Sequence, residues 1–517
     1  VEPRMTDPYD DVVYPGACVP LAHPGRLFVA AHLHAASPAP VARARILEIG
    51  CGTGDHLLPI AARLPDARCV GIDRATTAIA TARRHAEALG ANVELIEVEI
   101  AEADAALRAP DLPEAYDYIV AHGVYSWVPE AVQDQLLALF ARWLAPDGVA
   151  YVSYNALPGW HFRGMVGQMM RFHAEPDAPP DRRISQSRAL VDWLAEVVPA
   201  SDPYGAWLRK EADLIEEQPD GWLFHDLLAP ENRPALLSDV VRRAREHELG
   251  YLADADLPAM STARLPKEVR ETLSRLGEDP VTLEQYLDFV LCRSFRRSLF
   301  VGPTAAPVPR PDWARVPDLH VRGLVEAQGL VGRDGTEAFR NRAGEGLRTS
   351  QPVLRAAFHN LIDGGPATVS FDDLLKRVRD ETGDDPDLRR TLARHLLVAF
   401  QHELVELTGH PVAAVAEVSR HPTVDPVVRH LDGPKVPNLH HRPVPVDALD
   451  RVLLPRLDGT RMVPDVVRES YADFVEGRAA LPEDGPPLDD VGEIAGWLEV
   501  QVPARVAHYG RAGLLVS

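Results

Sequence analysis

The sequence predicts an α/β fold: a mostly parallel sheet of seven strands within residues 1–302, followed by α-rich, winged-helix-like units. Three observations predict it. Short apolar runs alternate with helical stretches over the first 155 residues, and a glycine-rich turn joins the first run to its helix. Beyond residue 303 the pattern changes to helices separated by proline-rich stretches.

The strands follow in order. Residues 46–49 are the first, ending at Gly50-Cys51-Gly52-Thr53-Gly54-Asp55-His56, and residues 57–64 (LLPIAARL) are the helix after it. Residues 69–73 (CVGID), 93–98 (VELIEV), 116–121 (YDYIVA) and 148–154 (GVAYVSY) are the next four, with a helix over 133–144. Such alternation implies parallel crossovers, and ligands on these sheets sit at the carboxyl ends of the strands. Residues 156–234 read as a helical insertion over that edge. An amphipathic helix (235–247), a short strand (249–253) and an antiparallel last strand (296–301) then complete the sheet.

The glycine turn defines its ligand. A dinucleotide site has the spacing G-x-G-x-x-G, whereas here it is G-x-G-x-G, and Asp55 stands where the third glycine would fall. A carboxylate there repels pyrophosphate. Glu48, inside the strand end, suits a positive group such as an α-ammonium, and Asp73, about 20 residues past the glycines, suits ribose hydroxyls. Glu99 and Ile100 after the third strand suit adenine, the carboxylate taking the exocyclic amine and the isoleucine covering a face. A ligand with ribose and a cation but no phosphate is S-adenosylmethionine. The motif E-x-G-x-G-x-G with a second-strand Asp resembles the class I methyltransferases, whose fold is a Rossmann-like seven-stranded sheet. The cofactor set expected on this reading is Tyr14, Glu48, Gly50, Cys51, Gly52, Gly54, Asp73, Arg74, Glu99, Ile100 and His122, with no metal.

Composition narrows the class. With 517 residues, 46% hydrophobic and 25% charged, the chain reads as a soluble globular protein of more than one domain. A net charge of −22 argues against nucleic acid as the main partner. Cys18, Cys51, Cys69 and Cys292 have no paired spacing and read as reduced thiols. No signal-like or membrane-spanning run is evident, so a cytoplasmic protein without membrane insertion is expected.

Residues 303–317 (PTAAPVPRPDWARVP) read as a proline-rich linker, 318–421 as a helical, winged-helix-like regulatory domain, 422–445 as a second linker, and 446–517 as a C-terminal winged-helix-like domain. The acidic chain favours protein contact or packing over DNA binding for these units.

Methyl transfer needs a nucleophile aligned at the strand ends. There the fourth strand leads into His122-Gly123-Val124-Tyr125-Ser126-Trp127, and His122, Tyr125 and Tyr14 are the expected catalytic residues, with Trp127 as an aromatic wall. Asn155, His225 and Asp226 under the insertion are the next candidates. The stretches Tyr9-Asp10-Asp11-Val12-Val13-Tyr14, His23-Pro24-Gly25-Arg26-Leu27, HGVYSWVP, Ser153-Tyr154-Asn155 and Trp222-Leu223-Phe224-His225-Asp226 resemble bacterial methyltransferases with a methyltransferase regulatory domain, including the rickettsial-type protein lysine methyltransferases. The resemblance implies that Tyr14 and His23 belong to a segment closing over the site. It implies a protein or peptide substrate, with a lysine nitrogen the leading acceptor. O- or N-methylation of a peptide natural product, and a cofactor-binding scaffold without turnover, remain open, as does a homodimer. The sequence departs from the family at Asp55-His56, where Gly-Asn is usual.

Overall fold

Seven short runs become one sheet: in the central ones the residues are buried on both faces, which leaves the backbone no partner but another strand, whereas residues 93–97 keep Glu94 and Glu97 exposed. The computed structural model describes residues 12, 14, 16–332, 335–431, 433–482, 485–486 and 491–517; Tyr9, Asp10, Asp11 and Val13 of the N-terminal stretch lie outside them. The strands are β1 (Arg45–Ile49), β2 (Arg68–Asp73), β3 (Val93–Glu97), β4 (Tyr116–Ala121), β5 (Leu144–Asn155), β6 (Gly250–Asp254) and β7 (Phe295–Val301). Their order is β3-β2-β1-β4-β5-β7-β6. β1 to β5 run parallel, and β7 lies antiparallel between β5 and β6. The order reverses between β1 and β4, and a crevice opens at such a switch point beyond the carboxyl ends.

One face of the sheet packs under helices Glu130–Trp143 and Leu237–Glu246 around Phe140, Trp143 and Val240. The other packs under Pro24–Leu33 and Leu57–Arg63, and its core runs on without a break through Val316 and Phe358 to Leu407. At the β6–β7 edge Arg296 is fully buried and held by Asp288 (2.7 Å), Glu284 (2.9 Å) and Asp254 (3.5 Å). Tyr154 and Ser298 join β5 to β7 through their hydroxyls at 2.9 Å.

The insertion is helical, as expected: Trp160–His173, Pro180–Val197, Pro203–Glu216 and Asp220–Asp226 enclose a small core of their own around Met170, Ile184 and Leu223. The stretch 303–317 is a tether, not a loose linker. Val308 and Asp312 donate backbone N–H groups to the His34 and Leu33 carbonyls (2.8 and 2.7 Å), and the Arg394 guanidinium lies 4.7 Å over the Trp313 ring.

Beyond it, strand His320–Gly323 lies between Val369–Ser370 and Val405–Thr408, backed by helices Pro352–Asp363, Phe371–Thr382 and Leu388–Gln401. A three-stranded meander, Val325–Val331, Glu337–Asn341 and Gly346–Thr349, was not expected from the sequence. Residues 422–445 are a second correction. They fold as helix Pro426–His430 and the hairpin Lys435–Pro437 with Pro443–Pro445, and Val424, Val428 and Val436 sit in the same core as Leu449, Phe474 and Val502. Pro426 occupies the first helical turn behind the Asp425 cap, a position that favours proline. Among the described residues no helix is long and apolar enough to cross a membrane.

Candidate functional site

At the switch point the glycine turn leaves β1 with Gly50, Gly52 and Gly54 all at positive φ (77°, 51° and 84°). Added side chains at Gly50 and Gly54 would run into Val124 and Leu58, at 2.6 and 2.7 Å, whereas Gly52 faces open space. Two residues of the turn close onto β2: Gly50 and Cys51 donate to the Ile72 carbonyl. Asp73, at the end of β2, accepts from the Gly52 N–H (2.8 Å) and the Ala75 N–H (2.9 Å), so its carboxylate is aimed across the turn.

Glu48 is the informative group. It is 4% exposed, and its Oε2 has no hydrogen-bond partner. Burial, and then the Asp73 and Asp55 carboxylates, push its pKa well above the usual carboxylate range. An orphaned acid surrounded by acids fits a ligand that brings a positive charge, as the ammonium of S-adenosylmethionine does. Cys51 contributes backbone only: its sulfur packs with Leu58, Ile79 and Leu95, and burial pushes the thiol pKa up. Arg74, Glu99 and Ile100 sit at the rim beyond β2 and β3, where Arg74 approaches Glu99 to 4.0 Å.

His122 follows β4 but turns back onto the sheet. Its Nδ1 is 2.9 Å from the Tyr151 hydroxyl and its ring meets Phe295 edge-on. Burial, then His56 and Arg297, lower its pKa to about 3, so the ring is neutral.

Tyr125, expected at the strand ends, is packed in the core beside them. It is 1% exposed, its ring lies among core residues 5.8 Å from Tyr154, and its hydroxyl is buried without a partner. The turn that carries it is drawn inward by Gln133, whose amide donates to the Tyr125 carbonyl at 2.7 Å. Trp127, two residues on, points instead toward Trp160, with ring centroids 6.3 Å apart.

The N-terminal segment crosses from the insertion to the glycine turn. The Val12 carbonyl is 2.7 Å from His225 Nε2, and the Tyr14 ring lies 5.7 Å from the His225 ring. The Gly16 backbone lies against the Asp55 carboxylate, which also takes the Thr53 hydroxyl, and the Val19 N–H donates to His56. His23 caps helix Pro24–Leu33 and faces His410 and His441.

Where this segment meets the insertion, Asp226 lines a cavity of about 290 Å³ with Trp160, Arg163 and Asn232. Asn232 accepts from Asn155 (3.1 Å), the last residue of β5, which sets the cavity beside the strand ends. Burial raises the Asp226 pKa to about 7, against the Tyr14 hydroxyl and Arg163, which act to lower it. The sequence held Asn155, His225 and Asp226 only in reserve, and nothing in its spacing announced that Tyr14 and Asp226 meet.

Comparison with known proteins agrees with this geometry. Residues 46–148 match the model of a methyltransferase domain, 219–302 that of a predicted methyltransferase regulatory domain, and 421–514 that of the PKMT C-terminal winged helix domain. An uncharacterized protein of Rickettsia prowazekii is 27% identical over 99% of this chain and 94% of its own length. A second from that organism is 35% identical over 46% of this chain and 94% of its own. The trans-aconitate 2-methyltransferase of Methylobacterium radiotolerans is 30% identical over 47% of this chain and 74% of its own. The fold of PKMT2 from Rickettsia typhi, also solved with AdoHcy, superposes on 98% of this chain and 100% of its own with a TM-score of 0.83 at 24% identity.

Proposed function

This chain belongs to the S-adenosylmethionine-dependent methyltransferases that carry a methyltransferase regulatory domain, and we propose that its acceptor is a lysine nitrogen of a protein or peptide. S-adenosylmethionine supplies an electrophilic methyl on a sulfonium, transferred by in-line displacement. Glu48 would hold its ammonium, Asp73 its ribose hydroxyls, and Glu99 with Ile100 its adenine.

The observation that carries the acceptor assignment is Asp226, set in a cavity beside the strand ends and bonded by Tyr14. A lysine ammonium has no lone pair until it loses a proton. A carboxyl with a pKa of about 7 is partly ionised at neutral pH and is a stronger base than an ordinary carboxylate, so it can take that proton as the nitrogen attacks. The cavity wall includes Trp160, whose ring carries the Arg163 guanidinium at 5.8 Å and meets Trp127 edge-on. Arg163 approaches Glu211 at 3.6 Å, which offsets its charge within the cavity. Tyr14, 41% exposed, sits where the substrate chain would enter.

The test is mass spectrometry of lysine-bearing peptides incubated with the full chain and S-adenosylmethionine. Gains of about 14 Da per methyl on lysine, mapped by fragmentation, are expected. Asp226→Asn should lower kcat about 100-fold while leaving AdoHcy binding unchanged. Methyl gain confined to hydroxyl or carboxyl oxygens would overturn the lysine assignment.

A further inference from the structure

We infer that His441, in the last unit of the chain, is a positioning residue of the cofactor site that holds the turn after the glycine loop through His56. His56 ends the motif G-x-G-x-G-D-H and precedes helix Leu57–Arg63. Its Nδ1 receives two contacts, the Val19 N–H at 3.3 Å and His441 Nε2 at 2.7 Å. A backbone N–H can only donate, so Nδ1 is the bare nitrogen and His441 is the donor. The tautomers of both rings follow. The rings are 5% and 2% exposed and stand edge-on, with centroids 4.7 Å apart, so this bond is shielded from water.

The turn bearing His441 is built to aim it. His441 has φ +56°, and its N–H donates to the Asn438 carbonyl at 2.8 Å. The Asn438 side chain accepts from the N–H groups of His440 (3.0 Å) and Arg442 (2.9 Å) and donates to the Ala512 carbonyl (2.7 Å). The same unit grips the far end of the helix. Arg63 donates to Asp425 Oδ2 (2.7 Å) and to the Asn438 and Pro437 carbonyls (2.8 Å each). The helix that begins at the glycine loop is thus held at its first turn by His441 and at its last by Arg63. Asp55, one residue before His56, is pinned by Gly16 and Thr53. Loss of the His441 bond frees the one side of this turn that the N-terminal segment does not hold.

Coupling between two sites is reciprocal. In the wild-type full chain, AdoHcy should slow amide exchange at residues 436–442 as well as at 50–58. His441→Ala should weaken AdoHcy about tenfold in calorimetry and speed exchange at 50–58, leaving 219–302 as in wild type. His441→Gln keeps an N–H donor and should recover most of the affinity, which a purely structural role would not require. Unchanged AdoHcy affinity in His441→Ala, equal loss in both variants, or wild-type exchange at 436–442 indifferent to AdoHcy would each overturn the inference. The last readout needs no variant to fold.

Discussion

Glu48 is a carboxyl whose ionised form the ligand-free protein does not support, since burial, Asp73 and Asp55 all favour the proton. A bound ammonium reverses that preference. Cofactor binding therefore expels a proton from Glu48 at any pH below its free-state pKa, and affinity for AdoHcy should strengthen as pH rises toward that value, by up to about tenfold per unit. Calorimetry in buffers of different ionisation heat should show the released proton; an affinity that falls from pH 6 to 8 would contradict the role. Tyr125 leads to the opposite kind of expectation. Its buried hydroxyl bonds nothing, so Tyr125→Phe should retain turnover and match or exceed wild-type stability by about 1 kcal/mol, read as Tm. A hundredfold loss of kcat would return Tyr125 to the site. The positions of Glu48, the glycines and Asp73 at strand ends were legible because each directly closes or follows a short apolar run. The burial of Tyr125 was not legible, because the direction of a turn residue is decided by what packs on it, here Gln133 and Tyr154.

Among the elements, the β6–β7 edge closes the sheet around a charge. Arg296 is the register partner of Tyr154 on β5, and its guanidinium is neutralised by Asp288 and Glu284 from helix Pro280–Leu291 and by Asp254 from β6. Removing Arg296 takes the guanidinium from Asp254 and leaves Glu284 and Asp288 with Arg293 at 3.4 and 3.3 Å. Arg296→Met should destabilise the protein by about 3–5 kcal/mol in urea unfolding, and a loss under about 1 kcal/mol would mean the carboxyls simply take up protons. The central strands were readable because burial on both faces demands continuous apolar runs, and β3 was readable by its alternation. The meander was not: Glu326, Arg340 and Arg348 interrupt its apolar pattern, and among the described residues Val325 and Phe339 are buried in the core with Leu347 packed against it. Residues 422–445 looked like a linker because proline is common to linkers, helix starts and hairpin edges alike. Only the core positions Val424, Val428 and Val436 tell them apart.

At the scale of the whole molecule the C-terminal units are docked through a junction rich in neutral histidine. His23, His56, His410, His440 and His441 all have pKa values lowered chiefly by burial, to about 4 for His56 and His410 and about 2 for His440. Around them lie Arg26, Arg322 and Arg442, gathered on the buried Glu406, and Arg63 on Asp425. Five cationic imidazoles cannot be added among these arginines. A histidine whose folded pKa is depressed lends its full stability above the ordinary value of 6.5 and loses it as pH falls toward the folded value. Each of the five can add up to about 1.4 kcal/mol per pH unit to that slope below 6.5. Asp256, in reach of Arg26, titrates the other way, as do Glu48, Asp226, Glu284 and Asp288. The last four, however, belong to the cleft, the insertion and the β6–β7 edge, and leave the junction itself acid-labile. Lowering the pH from 7 to 5 should therefore speed amide exchange, corrected for its intrinsic pH dependence, at residues 436–442 and 405–412 before it does so in β1 and β4. Because His56 is part of the junction, AdoHcy affinity should fall over the same interval. Exchange at the junction that stays flat to pH 5 would show that the imidazoles find protons without the units parting.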